Sequence, residues 1–390
     1  MPEWRNWSGR QAGKVDSLHF LRSEADAVGL VNQCRAENDR LKVVGSGHSH
    51  SPVALGDGVV ADVSGLAGVI SVDREEQSAW IRAGSTIYSL GGQLHDAGLA
   101  LRNQGDIDRQ VLAGAISTGT HGTGVSLQNL SASVSGLVLV LANGEQVSCS
   151  EVNEPDLFQA ARLGLGSVGL ITRIEMQLAR AQVLKEKSWQ ATFDELVETI
   201  PEQTAMNERF EFFWYPGNDQ ATVKTINPVS AEPVYPIADE GSRQAYSYEV
   251  LPSHRPHLHT EMEYSVPQAS GLACLEEIRE LLRTEFPDVV WPVEYRTVAA
   301  DEVWLSMAYG RPTVTISVHQ DIREDDEPYF RACESIFLKY GGRPHWGKVN
   351  YLDAADFNDA YPMWQRWWQV RDEFDPQGMF LNTWSAALRS

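Results

Sequence analysis

An α+β fold in two parts is what this chain predicts, and two observations carry the prediction. Up to about Ala181, short runs rich in Val, Ile and Leu alternate with helical patterns. From about Gln182 the texture changes, and a polar, proline-rich segment leads into amphipathic stretches. The length of 390 residues, with 43% hydrophobic and 22% charged positions, fits a globular protein of about two domains.

In the first part, Leu41–Val44, Val59–Asp62, Gly68–Val72, Ala79–Arg82, Leu137–Leu141 and Leu170–Leu178 read as strands, several bounded by Gly, Asp or Asn. Ser85 is placed to cap a helix with Ile87, Leu90, Leu94 and Ala97 on one face, and Gly98 is placed to end it. In the second part, Pro228, Pro233, Pro236, Pro252 and Pro256 punctuate an acidic stretch. Amphipathic segments follow at Leu272–Thr284 and Tyr329–Tyr340. Trp364, Trp367 and Trp368 recur at helical spacing, which reads as a core stripe.

A net charge of −21 repels phosphate backbones and anionic membrane surfaces, so small neutral partners are expected, with no nucleic acid and no membrane. The first thirty residues hold Trp4, Arg5, Arg10, Lys14 and Asp16 without a signal-type apolar core, and the chain reads as cytoplasmic. Cys34, Cys149, Cys274 and Cys333 are far apart and lack CxxC spacing, so neither a disulfide nor a metal site is expected from them.

Two loops carry the chemistry. Val43-Val44-Gly45-Ser46-Gly47-His48-Ser49-His50-Ser51-Pro52 follows a strand and crowds small residues around a histidine, so its backbone N–H groups can approach a diphosphate. Gly114-Ala115-Ile116-Ser117-Thr118-Gly119-Thr120-His121-Gly122-Thr123-Gly124 repeats that chemistry. Either loop alone is compatible with a plain turn. Neither is a Rossmann GxGxxG with its acidic partner or a GxxxxGK[ST] loop. His48, His50 and His121 could also serve a non-enzymatic metal- or sugar-binding protein.

The succession VVGSGHSHSP, IRAGSTIYSLGGQLHDAGLALRNQGDID, AGAISTGTHGTG, DLFQAARLGLGSVGLITRIEM, PVEYR, GGRPHWGK and FDPQGMFLN resembles the sugar-1,4-lactone oxidases of the vanillyl-alcohol-oxidase type. The likeness runs along nearly the whole chain and is weakest from Val183 to Pro267. It implies a two-subdomain FAD-binding domain over 1–181, a cap (substrate) domain over 182–340, and a segment 341–390 that returns to the flavin site.

By the same resemblance, FAD is joined covalently through His48, with His50 as a rival. Gly45, Ser46, Gly47, Ser49, Gly114, Ser117, Thr118, Gly119, His121 and Gly122 are expected to hold the diphosphate and nearby flavin groups. Gly166 to Gly169 and Ile171 are expected toward the adenosine. Gly105 and Asp106 are expected beside the ring, with Gly105 next to C4a, where it leaves O2 a passage. His345 and Lys348 are expected near the flavin, the lysine at N1 and C2.

Glu294 and Arg296 are two apart in a β-type run and so share a face; spacing alone favours a surface ion pair. A lysine after a Trp-Gly turn, as Lys348 is, would by itself suit the surface. The resemblance implies that Glu294 and Arg296 orient substrate over the flavin. The implied reaction oxidises the C2 alcohol of an aldono-1,4-lactone by hydride transfer to flavin N5, with O2 as acceptor and H2O2 as product. Glu294, His319 and water are the candidates for taking the hydroxyl proton. LSMAYGR and HWGK also resemble alditol oxidases, so a xylitol- or sorbitol-type polyol is the alternative substrate.

Overall fold

The β-branched runs of the first half pair into two sheets in a computed structural model that describes residues 1–253 and 255–389. Ser17–Phe20, Val59–Asp62 and Leu41–Val44 form a parallel sheet with Val59–Asp62 in the middle. Parallel neighbours need a crossover, and the helix Glu24–Glu37, started by a Ser23/Asp26 capping box, lies in one. The second sheet is antiparallel and runs Gln146–Ser150, Val134–Val140, Leu170–Arg180, Ser78–Arg82, Val69–Asp73. Leu99–Leu101 pairs with the far end of Leu170–Arg180.

The helix expected after Ser85 spans Ile87–Asp96, but Thr86 is its cap and accepts from the Ser89 N–H. The Ser85 hydroxyl instead donates to the Arg82 carbonyl and accepts from Gly68 N–H, tying two strand ends together. Gly98 does follow the helix, with φ of +80° that favours glycine.

Among its described residues the proline-punctuated segment is mostly irregular, with one short strand, Gln244–Tyr246, and one short helix, Ser247–Val250, while the sequence on either side of it is rich in strands. From Val183 onward an eight-stranded sheet forms in the order Gln244–Tyr246, Val183–Thr192, Gln220–Pro228, Arg209–Tyr215, Val293–Val298, Thr313–Asp321, His259–Pro267, Arg343–Pro344. Period-two alternation splits its central strands. Met262, Tyr264, Val293, Tyr295, Ile316 and Val318 pack beneath residues of the helices Gly271–Thr284 and Glu327–Lys339. Glu261, Glu263, Glu294, Arg296, Ser317 and His319, at the alternate positions, are polar yet buried. That face needs a second covering layer, which the first half of the chain provides.

Val303, Trp304, Leu305 and Met307 leave the eight-stranded sheet and join the core of the first half. Trp346, Trp364, Trp367 and Trp368 lie in that same core, so the tryptophan stripe packs rather than binds. Trp367 also donates to the Ala160 carbonyl at 2.9 Å. All four cysteines are buried and unpaired. Among the described residues no helix is long and apolar enough to cross a membrane.

Asp375 of the FDPQGMFLN segment forms an ion pair with Arg371, one helical turn before it, and both side chains are fully buried. Arg371 donates to the Ser167 carbonyl at 3.0 Å, and Asp375 accepts from Met379 and Phe380 N–H at 2.9 and 3.0 Å. Asp375→Asn leaves the buried guanidinium with only the partly exposed Asp372, 2.6 Å away, as a charge partner and is expected to cost about 3 kcal/mol of folding stability, the low end for a broken buried pair. Urea denaturation read by tryptophan fluorescence checks this, and a loss below about 1 kcal/mol, the scale of an exposed pair, would rule it out.

Candidate active site

Two cavities meet in the space between the first half and the polar face of the large sheet. The first is a cleft lined by Lys42 through Ser49, Gly114, Ser117, Thr118, Gly166, Gly169 and Ile171. The second, of about 330 Å³, is lined by Gly105, Asp106, His121, Glu261, Glu263, Glu294, Arg296 and His319 among others. Gln110, His345 and Lys348 line both. A ligand filling the cleft would therefore meet a molecule in the second cavity at those residues.

The cleft is suited to a diphosphate. Among the described residues, the backbone N–H groups of Ser46, Gly47, His48 and Ser49 find no acceptor, which makes a nest of free donors. Gly47 has φ of +66°, a turn that glycine adopts without strain. At the far end, the buried Lys42 ammonium donates to the Leu165 carbonyl at 3.1 Å and faces Gly166. Burial pulls its pKa down to about 7. His48 stacks on Trp7 at 5.7 Å, and burial, reinforced by Lys348, lowers it to about 4, so its ring is neutral at neutral pH.

Two glycines and one histidine expected at the diphosphate and nearby flavin groups lie outside the cleft. Gly119 ends the helix Leu112–Thr118 at φ of +77°, and Gly122 abuts the Gln104 carbonyl, 2.2 Å from where a Cβ would lie. Neither lines the cleft. His121 faces the second cavity, with Nε2 3.0 Å from Glu263 and Nδ1 2.8 Å from the Gly122 carbonyl. Gly105 also lines that cavity, and a Cβ there would come 2.9 Å from the His121 carbonyl, so backbone packing alone calls for glycine. The Asp106 carboxylate is taken by Arg255 and Lys224, which overcome burial and hold it at about 2.

The wall of the second cavity follows from strand register. Glu261 lies opposite His319, Glu263 opposite Ser317, Ser317 opposite Glu294, and Thr315 opposite Arg296. Adjacent positions on one sheet face bring their side chains within reach of each other. Arg296 bonds to Glu263 and lies 3.3 Å from Glu294, while Ser317 donates to Glu263 at 2.7 Å. Lys348 bonds to Glu261. Glu294 and Arg296 are thus on one face, as their spacing requires, and belong to a buried network rather than a surface pair.

Burial dominates the titration of these groups. It lifts Glu294 to about 8 against the opposing charge of Arg296. It acts the same way on Glu261 and Glu263, but Lys348 and Arg296 outweigh it and hold both carboxyls well below the usual range. It lowers His319 to about 4 and His345 to about 3. The cavity therefore pairs fixed carboxylates with one carboxyl poised near neutrality, a combination typical of acid–base sites.

Glu261, Glu263 and His259 also line this cavity, though no sequence motif points to any of them, and His50 sits behind the wall, 3.8 Å from Glu261. The signal they carry is the alternation His259, Glu261, Glu263 in a run whose intervening positions, Thr260 and Met262, are buried on the other face. His48, His50 and His121 do not converge: His50 groups with His259 and Glu261, and His121 with Glu263 and His345.

Comparison with known proteins bears on this arrangement. The sequence matches the family described as D-arabinono-1,4-lactone oxidase over residues 174–244 and 234–388, and an FAD binding domain over 16–150. L-gulono-1,4-lactone dehydrogenase of Mycobacterium tuberculosis is 35% identical, with 98% of each chain covered. The chain belongs to the sugar-1,4-lactone oxidase family. L-gulonolactone oxidase of Mus musculus is 27% identical over 98% of this chain and 97% of its own. Alditol oxidase of a Streptomyces species is 30% identical over 87% and 88%. The cholesterol oxidase of B. sterolicum, at 16% identity, superposes with a TM-score of 0.86 over 100% and 96% of the two chains and shares the fold. The fold is that of the vanillyl-alcohol-oxidase-type flavoproteins, and this family member is an FAD-dependent oxidoreductase.

Proposed function

We propose that the protein oxidises the C2 hydroxyl of an aldono-1,4-lactone bound in the second cavity. The observation that carries this is the junction of the two cavities at Gln110, His345 and Lys348, which would set a substrate carbon beside a cofactor in the cleft. Bound FAD supplies the acceptor for the substrate hydride, with O2 as the final acceptor and H2O2 as its product. Arg296, kept charged by Glu294 and Glu263 despite burial, orients the substrate oxygens. Glu294, deprotonated, takes the hydroxyl proton, since a carboxylate with a raised pKa is the stronger base. Lys348 stabilises negative charge arising at the junction without moving. The 2-keto-lactone formed first would tautomerise to an enediol.

Oxidation of an alditol is the second reading, supported by the Streptomyces relative and by the shared HWGK motif at 345–348. A hydrogen peroxide assay over a panel of aldono-lactones and alditols tests both. Lactone turnover with peroxide release is expected. Turnover of xylitol or sorbitol without lactone activity would replace the first reading with the second. Turnover with an artificial acceptor but no peroxide would remove O2 as the acceptor. Buried, unpaired cysteines suit a reducing compartment, and we assign the enzyme to the cytoplasm.

We assign the covalent flavin link to His48. Its neutral ring lines the cleft and is a competent nucleophile, whereas His50 is turned toward Glu261, with Nε2 3.8 Å from that carboxylate. After acid precipitation the flavin should stay with the polypeptide, and His48→Ala should release it. Flavin entirely in the supernatant of the native protein would defeat the link, and retention in His48→Ala would move it elsewhere.

A further inference from the structure

We propose that His50, His259 and Glu261 form a site for a divalent transition-metal ion, Zn2+ above all, at the edge of the second cavity, which His259 and Glu261 line. The Nε2 atoms of His50 and His259 each lie 3.8 Å from the same oxygen, Oε2 of Glu261, and Nε2 of His319 lies 3.7 Å from the other oxygen. These separations exceed the roughly 2.7–3.2 Å of a hydrogen bond. They are close to the ~3.4 Å between neighbouring ligand atoms around a tetrahedral ion with bonds of ~2.0–2.1 Å. The ligand atoms of His50, His259 and Glu261 all lie within 4.8 Å of one another.

The ring hydrogens point the same way. Nδ1 of His259 is 2.9 Å from the His257 carbonyl, and Nδ1 of His319 is 2.8 Å from the Pro292 carbonyl. A carbonyl only accepts, so each ring carries its hydrogen on Nδ1 and, when neutral, turns a bare Nε2 lone pair toward the carboxylate. Without metal, the Lys348 ammonium on Oε2 of Glu261 offsets the repulsion between these lone pairs and the carboxylate. A backbone carbonyl behind the ring is also the usual outer partner of a metal-bound histidine. Two imidazoles and one carboxylate favour zinc or copper over magnesium or calcium, which take oxygen ligands.

Lys348 already bonds to Glu261 through the oxygen that the ion would use. Ammonium and metal therefore compete for it, and this competition separates the site from a merely structural cluster. The FAD-loaded protein is titrated with ZnCl2 by calorimetry, and with Co2+ followed by its ligand-field bands beyond the flavin absorbance. Neither readout depends on turnover or on which alcohol is oxidised. One ion per chain is expected, with a four-coordinate cobalt spectrum. His259→Ala and His50→Ala should each weaken binding about 100-fold, at least as much as the loss of an outer partner. Lys348→Met should tighten it. No binding at millimolar Zn2+, affinity unchanged in the His50→Ala/His259→Ala double variant, or weaker binding in Lys348→Met would each overturn the site.

Discussion

Anaerobic reduction of the flavin by substrate should fall roughly 10²–10³-fold in Lys348→Met, the loss seen for one preorganised donor to a developing anion. Lys348 lines both cavities, and its ammonium is fixed by Glu261 on the neighbouring strand. Its backbone N–H is in turn held by the His345 carbonyl at 3.0 Å. A charge held this way needs no rearrangement when electrons arrive, so its removal should appear in the rate constant. Methionine keeps the apolar stem, which limits the change to the charge. Substrate dissociation constants should move far less than the rate. Near-normal single-turnover reduction in this variant would remove Lys348 from the chemistry.

Glu294→Gln should lower the same step by about 10²–10⁴-fold, the usual contribution of a positioned general base. The pH dependence gives the sharper test. With its pKa lifted to about 8, Glu294 is largely protonated at neutral pH, and only the ionised form can accept a proton. The reduction rate of the native enzyme should therefore climb as pH rises through about 8 and then level off, while the glutamine variant should lose that step. Stability runs the other way. Between the ordinary value of 4.5 and about 8 the folded chain holds a proton that the unfolded chain has released, so this group's contribution declines as pH rises across that interval. A profile that is flat near pH 8 in the native enzyme, or unchanged in Glu294→Gln, would assign the proton to His319 or to water.

What could be read along the chain depended on how local each feature is. The Glu294 and Arg296 pair, the nest after Val44 and the tryptophan stripe are defined within a few residues, and period-two or helical spacing exposes them. Glu261 is different, because its importance comes from lying opposite His319 in the next strand, 58 positions along. Register of that kind is settled by tertiary packing and leaves no local trace. Gly119 and Gly122 are hard to read for a related reason. A glycine required by a carbonyl or a leucine packed against it reads the same in sequence as one required by a ligand. The change from Ser85 to Thr86 as the cap is a one-residue competition between adjacent hydroxyls, decided by which one the Arg82 carbonyl captures.

The tie from Arg371 to the Ser167 carbonyl also sets an order of events during synthesis. The nest, the helix Leu112–Thr118 and the 164–169 loop are all made early, but His345, Lys348 and the Arg371–Asp375 pair emerge from the ribosome only after the strands of the eight-stranded sheet have been made. Until then the cleft lacks the wall made by His345, Gly347 and Lys348, and its 164–169 loop is held by Lys42 and the Ser117 carbonyl without the tie at Ser167. Tight cofactor retention is therefore expected only near the end of translation, and a nascent chain stalled before Trp364 should hold flavin more weakly than the full chain.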